Sequence, residues 1–429
     1  MSKNKIGLWS AVSIGIGGMV GGGIFAVLGL SVELSKGGTP VAFLIAGVIA
    51  FITSYSYAKL SLAFPNTGGT VVFINQGFGK NIFSGGLNNL LWISYIVMLS
   101  LYASAFGSYG ASFIKITGNF AWDKHILLSS IIVFSTLLNY ISFKAVSVAE
   151  SFAVYIKIFI LVIFVIIGFW GLGKSPDLHQ LKLVNWVGPF KLLSGGMVIF
   201  VAYEGFELIA NAVPNISNPK LNVPRAYYYS VLFVILLYIL IAIITVGSVS
   251  FGKIAGAQEY VLAVAAEPML GKAGFVIIGI TALISTFSAI NVSLYGGSRV
   301  NYELAEDDEI SHEFTHILWN QPVGLLVTAL LTLFIANTFN LESISTSGSA
   351  GFLLIFGLVN FVNFKLSKKV KSSALLAFLG FAFCIFALVA LMVQQISTNI
   401  TGAIIGLFII FLSFIIEWIF KRLDKKQKA

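Results

Sequence analysis

The stretch GIGGMVGGGIF, residues 15–25, sets six glycines within nine residues of a segment that is otherwise apolar. Inside a helix each glycine costs about 1 kcal/mol relative to alanine, so a run this dense interrupts a helix. The interruption falls within a hydrophobic segment near 7–34 that is long enough to cross a bilayer. At that depth a break frees backbone N–H and C=O groups, each costing several kcal/mol unless the break lines a cavity with a polar occupant. The segment therefore reads as two half-helices meeting at a ligand site.

Composition sets the class around this feature. The chain has 429 residues, 58% hydrophobic and 10% charged, with a mean hydropathy of +0.95. That is more apolar surface than water-soluble domains hide, so the expectation is an all-α polytopic membrane protein. Twelve transmembrane segments are read near 7–34, 40–64, 82–115, 124–142, 147–171, 191–213, 226–250, 272–302, 322–339, 342–364, 373–393 and 399–420. Short connections leave no room for an inserted soluble domain. The first segment is long and lacks a small-residue cleavage pattern, so it reads as a retained span. With the N-terminus inside, Lys and Arg are about twice as abundant at the inner ends as at the outer ones, which predicts cytoplasmic N- and C-termini in a cell membrane. The net charge of +9 then reflects topology and attraction to anionic membrane lipid rather than a nucleic-acid footprint. No obligate protein partner is evident. The single cysteine, Cys384, excludes a disulfide framework and a cysteine metal site.

The sixth segment, LSGGMVIFVAYEGFELIANAV, repeats the theme of the first. It opens on Gly195 and Gly196, and Glu204, Gly205 and Glu207 stand where a lipid-facing helix would carry leucine. Two interrupted spans five apart are the pattern of a 5+5 inverted repeat in which discontinuous helices 1 and 6 meet at the bilayer midplane. The repeats would cover 1–171 and 191–364, with two additional C-terminal spans in 373–420. Positive N–H ends of half-helices suit a carboxylate, and free carbonyls suit an ammonium. A zwitterionic α-amino acid satisfies both. Glycines in membrane helices also act as packing notches. Gly15 and Gly18 fit that role equally well; the triplet Gly21, Gly22 and Gly23 fits it less well, because close packing asks for small residues on one face only.

Three motifs carry a family resemblance. GIGGMVGGGIF, FPNTGGTVVFINQGFG at 64–79 and NISNPKLNVPRA at 215–226 together resemble signatures of the amino acid–polyamine–organocation superfamily of transporters. The chain is most similar to the prokaryotic proton-coupled, broad-specificity branch with a lysine in the fifth span, here within AESFAVYIKIFIL. The resemblance implies a LeuT-like fold with no cofactor. It implies a substrate carboxylate at the amides of Gly22 and Gly23, beside Gly21, and an ammonium at the carbonyl of Met19. Carbonyls of Val201, Ala202 and Glu204 would complete the ammonium site, with Tyr203 and Phe206 as gate or wall and Tyr95 facing the substrate. The family usually has an apolar residue where Glu204 stands, and often an acidic one at the position of Glu207.

Lys157, in the fifth span, is the chain's mid-membrane cation, and such residues are functional by default. In sodium-coupled relatives of this fold an ion bridges spans one and eight. The Lys157 ammonium would take its place, donating to carbonyls near Gly17 and Val20 and to Ser285 and Ser288 on the eighth span, which share a helix face. Burial disfavours the charged form of an amine, so loss of its proton would remove the bridge. The alternatives are snorkelling, or pairing with Glu150, which lies about two turns away and so beyond direct reach. Glu207 would be a second proton carrier or gate contact. Glu204 would either read a basic side chain or hydrogen-bond its own unwound backbone. The acidic run at 303–309 reads as a solvated loop.

No enzyme signature emerges. The histidines lie in or beside loops, SHEFTH around His312 and His316 is not HExxH, no metal site is expected, and no GxxxxGK[ST] phosphate loop is present. A proton-coupled symporter of amino acids working by alternating access is the leading expectation. A sodium-coupled carrier or exchanger of the same fold is second, and a non-transporting sensor or lipid enzyme is the alternative of another class.

Overall fold

The computed structural model describes residues 5–141, 143–257, 259–306, 316–318 and 321–427. Residues 307–309 and His312 lie outside the described residues, and so do the side chains of Glu150, Glu303 and Glu306.

Among the described residues the chain is an all-α helical bundle with one two-stranded ribbon, Ile317–Leu318 against Gln321–Pro322. Among the described residues, nine helices are long and apolar enough to cross a membrane. Two further pairs reach that length only as bent units: Leu8–Met19 with Gly23–Ser35, at 46°, and Pro189–Val198 with Phe200–Asn215, at 53°. These are the first and sixth segments, broken where their glycines stand. The ninth segment differs from expectation. Its helix, Gly324–Thr338, has 15 residues, about 22 Å at 1.5 Å per residue, short of a hydrocarbon core about 30 Å thick. Eleven long apolar spans and one short apolar helix thus stand where twelve full spans were expected.

The connections hold more structure than anticipated. A helix at Thr70–Phe78 follows the second span, and short helical turns fill Pro176–Leu181 and Leu183–Asn185. The eighth helix starts early, at Val261, and bends at Gly271 (φ 61°, ψ −156°), next to the expected start.

Burial sorts the spans by role. In the third span, Ile82–Phe113, 94% of the apolar window is buried, against 28% in Ile400–Arg422. The third span is therefore central and the last span faces lipid. The two ends of the bundle are built differently. At the N-terminal end the Ile6 N–H donates to Asn215 O (2.9 Å) and Ser217 N–H to Ile6 O (2.9 Å), tying the chain start to the exit of the sixth span. At the opposite end Gln180 Nε2 donates to Val246 O and Val249 O, both at 2.8 Å, while its Oε1 accepts from the Phe251 N–H at 2.9 Å. One buried glutamine thereby closes the loop between spans five and six over span seven.

Candidate functional site

The two breaks meet backbone to backbone. A Cβ built on Gly18 would sit 2.7 Å from Gly205 O, and one on Gly205 would sit 2.6 Å from Met19 N. Gly205 also has φ 116°, a left-handed conformation that side chains disfavour. Both positions need glycine for this contact. The three consecutive glycines have three different neighbours: a Cβ would meet Ala289 from Gly21 (2.9 Å), overlap the Tyr102 ring from Gly22, and meet the Ala202 backbone from Gly23 (2.8 Å). The expectation that close packing involves one face only is corrected here, because an unwound segment presents successive residues in different directions.

The free carbonyls of the first break are met by side chains from three other spans. Lys157 Nζ, fully buried, donates to Gly17 O at 3.0 Å. The Tyr238 hydroxyl donates to Met19 O (2.7 Å) and Ala202 O (3.2 Å). Ser285 Oγ donates to Val20 O at 2.9 Å and also to Gly21 O. Ser288, one turn on, is buried. Gly18 O accepts from the Gly21 N–H at 3.2 Å. The N–H groups of Gly22 and Gly23, which open the second half-helix, take no partner among the described residues. Amides at a helix start with no acceptor are an anion site by geometry and dipole.

The sixth break is satisfied largely from within and from the tenth span. Ser345 and Ser349 hydroxyls donate to Val198 O (2.7 and 2.9 Å), and Ser349 Oγ accepts from the Val201 N–H at 3.0 Å. Val201 O accepts from the Glu204 N–H at 3.2 Å. Glu207 Oε2 accepts from the Gly205 N–H at 2.7 Å, and its Oε1 from the Tyr95 hydroxyl at 3.2 Å. Glu204 Oε2 accepts from the Tyr102 hydroxyl at 3.3 Å. Tyr203 anchors the break to the second span, donating to Phe43 O at 2.8 Å. Phe206 packs between Tyr57 (5.4 Å between ring centroids) and Phe356 (5.1 Å).

A cavity of about 490 Å³ opens beside Ile6 and Ser10 at the N-terminal end and runs inward to Gly17, Gly18, Tyr102, Glu204 and Gly205. Of the residues expected to hold substrate, only Glu204 lines it. Met19, the Gly21–Gly23 run, Tyr95, Val201 and Ala202 are not among its lining residues, and Tyr102, which does line it, sets its ring over Gly22. Tyr203 and Phe206 belong to the packed core rather than to the cavity. Tyr102, Tyr238, Ser345 and Ser349 were not singled out from the sequence. Tyr102 had a signal, since Tyr95, Tyr102 and Tyr109 recur every seven residues along one face of the third span. Tyr238 sits alone in an apolar run and offers none.

Residues 6–415 match the family model described as amino acid permease. The chain belongs to this family. Its relatives include an uncharacterized protein of Methanocaldococcus jannaschii, 36% identical over 83% of this chain and 81% of its own length. The inner membrane transport protein YbaT of Escherichia coli is 33% identical over 85% of this chain and 84% of its own. The serine/threonine exchanger SteT of Bacillus subtilis is 24% identical over 80% and 79%. This permease is thus a multi-pass membrane transporter of amino acids and not an enzyme. The amino acid–polyamine–organocation resemblance read from its three motifs holds.

Proposed function

We propose that the permease is a proton-coupled amino-acid symporter of the cytoplasmic membrane, working by alternating access between two inverted five-span repeats, 1–171 and 191–364. The substrate's carboxylate binds the amides of Gly22 and Gly23. Its ammonium joins the carbonyls of Met19 and Ala202, displacing or sharing the Tyr238 hydroxyl. The arrangement described is open toward the end that carries the N-terminus, which positive-inside charge assigns to the cytoplasm, and it is closed at the other end by the Gln180 loop.

The observation that carries this reading is the unpartnered pair of amides at Gly22 and Gly23 beside a set of carbonyls held by donors from three other spans. Lys157 supplies the coupling: as an ammonium it fastens the fifth span to Gly17 O, and without its proton that attachment weakens. Tyr102 acts as a door, since its ring must leave Gly22 before a carboxylate reaches the amides.

A thermal-shift panel of amino acids on purified protein, followed by proteoliposome uptake of the hits, tests the reading. Amino acids should stabilise the protein and be taken up. Their decarboxylated amines should bind at least about tenfold more weakly, a loss of 1.4 kcal/mol or more. Equal competition by the amine alone would remove the carboxylate site.

A further inference from the structure

The buried carboxyl groups of Glu204 and Glu207, 4% and 1% exposed, have roles that the Gly22–Gly23 site does not use. They lie within hydrogen-bonding reach of each other. Two carboxylate oxygens both accept, so a hydrogen bond between them needs a proton on one. Each group is further steadied by one tyrosine of the third span, Tyr102 on Glu204 and Tyr95 on Glu207. The Gly205 N–H holds Glu207 from its own break, Tyr57 and Tyr227 of spans two and seven lie nearby with their hydroxyls on Thr70 and Ser61, and Lys157 reaches the adjoining first break at Gly17 O. Only Glu204 of the pair opens on the cavity, where it is the one charged side chain among the lining residues described.

We propose that Glu204 and Glu207 hold one proton between them, and that the cationic side chain of a basic amino acid displaces it on binding. The inference rests on the amino-acid transport reading above and names a substrate class for it: α-amino acids bearing a side-chain ammonium or guanidinium. In the exchange one carboxyl O–H bond breaks, the proton passes to cavity water, and the pair, now doubly negative, forms an ion pair with the incoming cation. A neutral amino acid leaves the proton in place. The charge inside the membrane is then the same whichever class is bound, which avoids burying an uncompensated cation.

The test measures protons released when purified full-length protein, in weakly buffered detergent solution with a pH indicator, is mixed with L-arginine or with L-alanine at matched pH. Wild-type protein should release about one more proton per bound arginine than per bound alanine. In Glu204→Gln that difference should vanish, and the preference for arginine over alanine should fall about tenfold or more; Glu207→Gln should abolish the extra release as well. Equal release for both ligands in wild-type protein would overturn the proposal without any variant, and so would an unchanged difference in a monodisperse Glu204→Gln protein. If neither amino acid binds, the Gly22–Gly23 reading of the site fails; if both bind with equal release, only the carboxyl-pair proposal does.

Discussion

The first and sixth spans are broken alike and stabilised differently. In the first, the carbonyls of Gly17, Met19, Val20 and Gly21 all depend on donors from elsewhere: Lys157, Tyr238 and Ser285 on spans five, seven and eight. Its amides at Gly22 and Gly23 take no partner among the described residues. In the sixth, Glu207 turns back on the Gly205 N–H, and two serines of one span serve both a carbonyl and an amide. The first break is thus held by three separate helices and offers an anion site. The second is held from within by Glu207, by two serines of the tenth span and by the Tyr238 hydroxyl at Ala202 O, and it presents acid side chains. Under the proposed reading, a substrate carboxylate goes to the first break and a cationic side chain to the second.

The contrast breaks most sharply where the two spans touch. Gly205→Ala would force a Cβ into the Gly18–Met19 backbone at a left-handed φ, so a loss of about 3 kcal/mol or more is expected, combining strain and overpacking. Thermal unfolding would show it as a large fall in Tm with loss of amino-acid stabilisation. Gly252→Ala, where a Cβ meets nothing within 4 Å, should leave Tm nearly unchanged.

Next in size is the dependence of the first break on outside donors. Tyr238→Phe removes the hydroxyl that bridges Met19 O and Ala202 O, leaving buried carbonyls short of a donor at a cost of about 1–3 kcal/mol. Because the same carbonyls are assigned to the substrate ammonium, KM should rise in proteoliposome uptake along with the fall in Tm. A fall in Tm with KM unchanged would make Tyr238 structural only.

The smallest effect sharpens the other side. Ser345→Ala takes one hydroxyl from the sixth break, but Ser349 still donates to Val198 O and accepts from the Val201 N–H. The expected loss is about 1 kcal/mol, with little change in substrate ranking. A loss as large as that of Tyr238→Phe would show that both breaks depend equally on outside donors.

Much of this was legible from residues 15–25 and 193–213, because glycine and glutamate in the middle of an apolar span contradict lipid exposure and mark a break. Lys157 was legible for the same reason, and its Nζ donates to Gly17 O. The sequence could not show how a break is filled. Tyr102 and Tyr238 look like ordinary aromatic residues of apolar helices, and their hydroxyls acquire meaning only when the third and seventh spans are set beside the breaks. The ninth segment was placed, but not the short length of its helix, because an apolar stretch near 322–339 carries no mark of where the helix starts. Pro322, at the start of that stretch, pairs instead with Ile317 of the ribbon.

In the proposed function, protonation of Lys157 fastens the fifth span to the first break and so couples transport to the proton gradient. The most direct test of that coupling is uptake into sodium-free proteoliposomes under an imposed pH gradient, acid outside, with and without a protonophore. Wild-type protein should concentrate the amino acid and stop when the protonophore is added. Lys157→Ala should retain substrate-induced thermal stabilisation but lose concentrative uptake, and Lys157→Arg should not restore it, since a guanidinium keeps its proton at any cellular pH. Proton-driven accumulation that persists in Lys157→Ala would contradict the account.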